Sequence, residues 1–162
     1  MFLTKFYQRL NSALVWRQQN LRARALRYWL LHLKSQPIQS NQKPAIVFAP
    51  HPDDETLGCG GMIALKRQQG VDVWVVFITD GQDSQFNHVR VKTIEELVQI
   101  RHHEALSALE TLGVQASEIR FLDLPDGSLP SLPEEKRQQV VEQLVNLLAV
   151  SNAQEVYVTY CR

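Results

Sequence analysis

From Ala45 onward the chain alternates short apolar runs with longer helical patterns. The runs are Ala45–Ala49, Val73–Thr79, Ile119–Leu122 and Glu155–Tyr160, the second of them rich in β-branched and aromatic residues. Between them lie Leu57–Gln69, stopped by Gly70, then Val91–Leu112, stopped by Gly113, and Glu134–Val150, with Pro133 just before it. Glycine past the end and proline at the start are where helices place these residues. The order is therefore strand, helix, strand, helix, strand, helix, strand. Strands separated by whole helices pair in parallel, so the pattern predicts an α/β fold with a mainly parallel sheet covered by helices. At 162 residues the chain has the size of one domain, with a core large enough to hold it.

The first predicted strand runs into Pro50-His51-Pro52-Asp53-Asp54-Glu55, and Gly58, Gly60 and Gly61 follow in the next helix. In an open parallel sheet, ligands bind outside the carboxyl ends of the strands. If the helix begins near Pro52, His51 and Asp54 stand at i and i+3 and face the same way. An imidazole nitrogen and a carboxylate oxygen both suit a zinc ion. Asp53 would point elsewhere yet stay close, as a carboxylate able to take a proton from water. The glycines permit close approach of substrate or of a neighbouring strand. The same residues also make an ordinary acidic helix start, with Asp53, Asp54 and Glu55 favoured by the helix dipole.

These residues, from Ala49 through His51-Pro52-Asp53-Asp54-Glu55 to Gly60-Gly61, resemble the signature of the LmbE-like (PIG-L) deacetylase family. Further segments match in order: Val75–Gly81 with its Thr79-Asp80-Gly81 turn, Arg101-His102-His103-Glu104-Ala105 with Leu112-Gly113, Phe121–Gly127, and Val156–Tyr160. The resemblance implies a Rossmann-like three-layer sandwich and a zinc-dependent hydrolase, with iron(II) as an alternative ion, that removes acetyl from N-acetylglucosamine units. It implies His51 and Asp54 as metal ligands, Asp53 as general base, and Arg101 and Asp126 as substrate-binding residues. Arg101 could instead pair with Glu96 or Glu104 on its own helix. Asp126-Gly127 could be only a turn, since this pair favours turns, and the same reading holds for Asp80-Gly81.

The family's third metal ligand is a histidine shortly after the fourth strand, where this sequence reads Tyr160-Cys161-Arg162. The expectation is an LmbE-like domain over 45–162 that is incomplete before that histidine, and hence a 162-residue chain with weak metal binding and little activity. His88, His102 and His103 read as surface residues, and Cys161 is a weak candidate for a replacement ligand. A deacetylase-like domain that only binds sugar or a partner is the alternative. The two cysteines, Cys59 and Cys161, are far apart in sequence and suggest a reducing, cytoplasmic setting.

Zero net charge hides a split. Residues 1–52 carry eight lysines and arginines and no acid, whereas the rest carries all 17 acids against nine basic residues. Residues 1–34 have a helical spacing, with Phe2, Phe6, Leu10 and Leu14 and then Leu21, Ala25, Trp29 and Leu33 recurring every fourth position. A polar linker with Pro37 and Pro44 fills 35–44. The uncharged stretches are too short to span a bilayer, which takes about 20 apolar residues. Such a basic segment suits the surface of an anionic membrane, and with it a glycolipid substrate, better than nucleic acid. A helix packed on protein and an organelle-targeting peptide are the other readings. The membrane reading expects co-sedimentation with anionic vesicles that is lost when residues 1–34 are removed; equal pelleting of both forms would eliminate it.

Overall fold

The computed structural model describes residues 20–29, 41–82 and 93–159. Residues 20–29 form a helical stretch whose residues are all exposed; the remainder of the basic segment, most of the linker, His88 and Cys161 lie outside the described residues. In residues 40–162 the elements follow as β1 (Ala45–Ala49), α1 (Asp54–Gln68), β2 (Val73–Thr79), α2 (Ile94–Thr111), β3 (Ile119–Leu124), α3 (Glu134–Val150) and β4 (Glu155–Val158). Single 3₁₀ turns at Ala116–Glu118 and Leu129–Ser131 are additions to the predicted pattern.

All strand pairs are parallel, and the sheet order is β3-β2-β1-β4. The chain thus winds outward from β1 through β2 to β3, then returns to the far side of β1. The point where the winding reverses lies between β1 and β4, and in folds of this kind the crevice there takes the ligand. Right-handed crossovers place α1 and α2 on one face and α3 on the other.

Alternation along the strands fills these two faces. Val47, Ala49, Val73, Val75, Phe77 and Ile119 form one core with Ile63 of α1 and Ala105 and Leu109 of α2. Ile46 and Val76 point the other way and are equally buried. That second face is thinner: α3 buries none of its residues fully, and Val156 and Val158 of β4 remain 53% and 69% exposed. Gly58 marks where α1 meets the end of β4. A Cβ there would lie 2.9 Å from Thr159 Cγ2, so the predicted close approach at this glycine is to a neighbouring strand end.

At the opposite end of the sheet a charged side chain is buried. Lys66, near the end of α1, is only 2% exposed. Its ammonium donates to the carbonyls of Asn41 (3.2 Å) and Lys43 (2.8 Å) and to Asn41 Oδ1 (3.0 Å), and it pairs with Glu155 Oε2 at 2.8 Å. A buried ammonium is tolerated only when its protons are used, as they are here. The cluster ties the entry to β1, the end of α1 and the start of β4 together. Hydrogen bonds from Asn41 and from Lys66 hold the Glu155 carboxyl well down, at about 2 against an ordinary 4.5. A depressed carboxyl contributes stability that is present above its unfolded value and is lost as the pH falls through the folded one. The denaturation midpoint should therefore drop between pH 4.5 and about 2, and Glu155→Gln should flatten that limb. Urea titrations at a series of pH values measure both; an unchanged acid limb in the variant would refute the assignment.

Candidate functional site

The turn after β1 is fixed from β2. The Pro50 carbonyl accepts from the Thr79 amide and from the Thr79 hydroxyl, each at 2.9 Å. His51 is therefore presented at the carboxyl end of the central strand pair. Its amide donates to Asp54 Oδ2 at 3.2 Å, and its Nδ1 lies 3.0 Å from the same oxygen. The i, i+3 pairing expected of His51 and Asp54 is present. On the other side of the ring, His51 Nε2 lies 3.0 Å from Asp126 Oδ1. Both imidazole nitrogens are thus bracketed by carboxylates. Partial burial pulls the His51 pKa down, but the hydrogen bonds to Asp54 and Asp126 outweigh it and leave the value above the ordinary 6.5.

Asp126 is more than a turn residue. The loop after β3 carries it to His51, and Asp80 holds that loop in place. Asp80 is buried, its amide donates to the Leu124 carbonyl (3.0 Å), and its Oδ1 accepts from the amides of Asp126 (3.2 Å) and Gln82 (3.0 Å). The Thr79-Asp80-Gly81 turn, read from sequence as structural, is structural in a specific way: Thr79 grips the β1 loop and Asp80 grips the β3 loop.

Asp53 stands at the start of α1 with φ 122° and ψ −30°, a backbone conformation that L-residues rarely adopt. Its amide donates to Glu55 Oε2 at 2.9 Å, and Glu55, fully buried, also accepts from the Thr56 hydroxyl at 2.6 Å. From α2, Arg101 Nη2 donates to the Pro52 carbonyl at 2.8 Å and lies 3.4 Å from Asp53 Oδ2. Arg101 thus reaches across to the motif. Gly81, at φ +67°, makes room for it, since a Cβ there would stand 3.3 Å from Arg101 Nε. That Nε is buried and has no hydrogen-bond partner among the described residues. A cavity of about 250 Å³ opens beside these groups, lined by Asp53, Thr56, Leu57, Arg101 and Glu104 among others.

The structure therefore gathers all five site residues predicted from sequence in two linked groups: His51 with Asp54 and Asp126, and Asp53 with Arg101. Sequence reasoning missed what supports them. Glu55 was read only as an acid at a helix start, but its carboxylate is what anchors the Asp53 backbone. Its burial had one visible signal, its place four residues before Cys59 and eight before Ile63 on one helical face.

The donors can be tested against a metal ion. Imidazole nitrogen and carboxylate oxygen are the right kinds for zinc or iron(II). Among the described residues no group of three histidines, cysteines or acids converges on one point. The donor types fit, and their number here is two, His51 and Asp54.

The strain at Asp53 yields a prediction. Holding a non-glycine residue in such a conformation costs about 1–3 kcal/mol. Asp53→Gly should therefore be more stable than Asp53→Ala by about that amount. Both variants lose the carboxylate, so the difference isolates the backbone. Equal melting temperatures would show that Asp53 is unstrained.

Comparison with known proteins places this architecture. Residues 46–160 match the family model described as PIG-L, GlcNAc-PI de-N-acetylase. A 1D-myo-inositol 2-acetamido-2-deoxy-alpha-D-glucopyranoside deacetylase from Mycobacterium sp. (strain KMS) is 38% identical over 86 residues, which is 49% of this chain and 28% of that protein. The N,N'-diacetylchitobiose deacetylase of Pyrococcus horikoshii superposes with a TM-score of 0.61 at 27% identity, covering 83% of this chain and 48% of its own. A 4-carboxy-2-hydroxymuconate hydratase from Pseudomonas putida KT2440 superposes at 0.59 with 25% identity, over 70% of this chain and 45% of its own. In each case the match spans less than half of the relative's length. The family match covers most of the chain, including both groups of site residues, and the chain belongs to the PIG-L (LmbE-like) deacetylase family.

Proposed function

We propose that this domain is part of a metal-dependent hydrolase that removes the acetyl group from an N-acetylglucosamine-type conjugate. The observation that carries the reading is the arrangement of His51 between Asp54 and Asp126, with Asp53 beside it, at the carboxyl end of β1. His51 and Asp54 would hold the ion, zinc or iron(II), together with a donor from outside the described residues. When bound, the ion polarises the acetyl carbonyl and makes water a better acid. Asp126, on His51 Nε2, fixes the ring orientation and the tautomer, so that Nδ1 faces the Asp54 side. The Asp53 carboxylate accepts a proton from the attacking water and returns it to the nitrogen as the C–N bond breaks, giving acetate and a free amine. Arg101 holds the Asp53 carboxylate by charge and lines the cavity in which the substrate would lie.

The two donors found among the described residues also suit a second reading, a deacetylase-like domain that binds sugar without chemistry. The basic segment would suit a lipid-linked sugar at an anionic membrane surface, reached from the cytoplasm. No helix among the described residues is long and apolar enough to cross a membrane.

Acetate release from N-acetylglucosamine conjugates, with zinc or iron(II) supplied, tests the proposal. Asp53→Asn should lower kcat by about 10²–10⁴-fold, the usual worth of a general base, with metal content unchanged. Identical acetate release by the wild type and this variant would remove Asp53 as the base. Sugar binding without any acetate release would favour the binding-only reading.

A further inference from the structure

His102 stands on α2 next to Arg101 and belongs to neither group of site residues. Its ring stacks on Phe121 of β3, with centroids 3.9 Å apart and planes at 27°. Phe121 in turn stacks on the buried Phe77 of β2 at 4.8 Å. On its edge, His102 Nε2 lies 2.9 Å from Asp123 Oδ1, an ion-pair distance off the line of a hydrogen bond. The sequence reading of His102 as a surface residue is therefore corrected: its side chain is only 25% exposed and is held on two sides.

Asp123 is where β3 changes phase. Phe77 pairs with Phe121, but Thr79 pairs with Leu124, so β3 spends three residues where β2 spends two. The extra residue is accommodated at Asp123, whose φ is +51°. Side chains alternate across a sheet, so one inserted residue exchanges the faces of everything after it. Without the bulge, Asp123 would share the face of Phe121 and Leu124 would turn away. With it, Leu124 is buried on the core face and its carbonyl accepts from the Asp80 amide at 3.0 Å. The chain then reaches Asp126 in the phase that sets its amide on Asp80 and its carboxylate on His51.

We propose that His102 is a positioning residue of the site: by stacking on Phe121 and pairing with Asp123 it fixes the bulge in β3, and the bulge fixes the phase in which Asp126 meets His51. This rests on the deacetylase reading only for its catalytic readout. Two variants separate the pairing from the packing. His102→Phe keeps a ring on Phe121 and removes the partner of Asp123. Asp123→Gly keeps the left-handed backbone and removes the carboxylate, on a side chain already 53% exposed, so it should fold even if the first does not.

The first readout is the ¹H–¹⁵N spectrum of the full chain. Both variants should shift the amides of Asp126 and Gly127 while melting within a few degrees of the wild type. Unchanged Asp126 and Gly127 amides in both would overturn the proposal. The second readout is acetate release. Each variant should lose about ten-fold in kcat, the scale of a group that supports a metal-bound histidine, with KM changed less. In an Asp126→Asn background the same substitutions should add little, because they act through Asp126; full additivity would overturn the proposal. Should the wild type release no acetate, the deacetylase reading fails, and the spectra still decide the role of His102.

Discussion

One carbonyl oxygen carries the geometry of the site. Pro50 ends β1, and its carbonyl accepts both the amide and the hydroxyl of Thr79. The strand ends of β1 and β2 are thereby locked at the level where the backbone leaves the sheet. His51 and Asp54 follow within four residues, so their placement inherits this lock. From Thr79 the same turn continues to Asp80, which holds the β3 loop and with it Asp126. The loops after β1, β2 and β3 are joined through four hydrogen bonds made by two residues, Thr79 and Asp80. The flanking prolines, Pro50 and Pro52, restrict the remaining freedom of His51.

The region around Asp53 follows a different logic. There the backbone is held away from its preferred conformation by a buried carboxylate and a neighbouring guanidinium. Strain of this kind persists only where the surroundings over-determine it. Glu55 of α1 and Arg101 of α2, the latter through the Pro52 carbonyl, supply that surplus of constraint. The consequence is a carboxylate on a closely held backbone whose side chain, 55% exposed, lines the cavity.

Much of the fold was legible because its signals are local. β1, β2 and α3 fall where the apolar runs and the Pro133 boundary put them. The helix α1 begins at Asp54, three residues before the first apolar position that suggested it, because its first turn is acidic and carries no periodic signal. The i, i+3 relation of His51 and Asp54 was also readable, since it needs only the helix start. What escaped was everything that depends on partners distant in sequence. Lys66 is a charged residue at a buried position, and its partners Asn41 and Glu155 lie in other elements. The bulge at Asp123 leaves no pattern in a strand of six residues. The company that His102 keeps was invisible for the same reason, because an imidazole on a helix is a surface residue until a strand is brought under it.

The pairing of β1 with β4 has a kinetic side. Ala45 lies opposite Glu155, and every residue of β1 that β4 covers has been made long before β4 exists. Ribosomes add roughly 5–20 residues per second, so β1 presents one unpaired edge for roughly 5–20 seconds of synthesis. That edge is apolar, and an unpaired strand edge can recruit foreign strands. The outward winding order gives it partial cover early, because β2 closes the other side and α1 can close one face. That edge is covered only when β4 pairs with it, and Glu155, the first residue of β4, is also the one that completes the buried Lys66 cluster, so the last strand to be made closes the β1 edge and neutralises the buried lysine in one step.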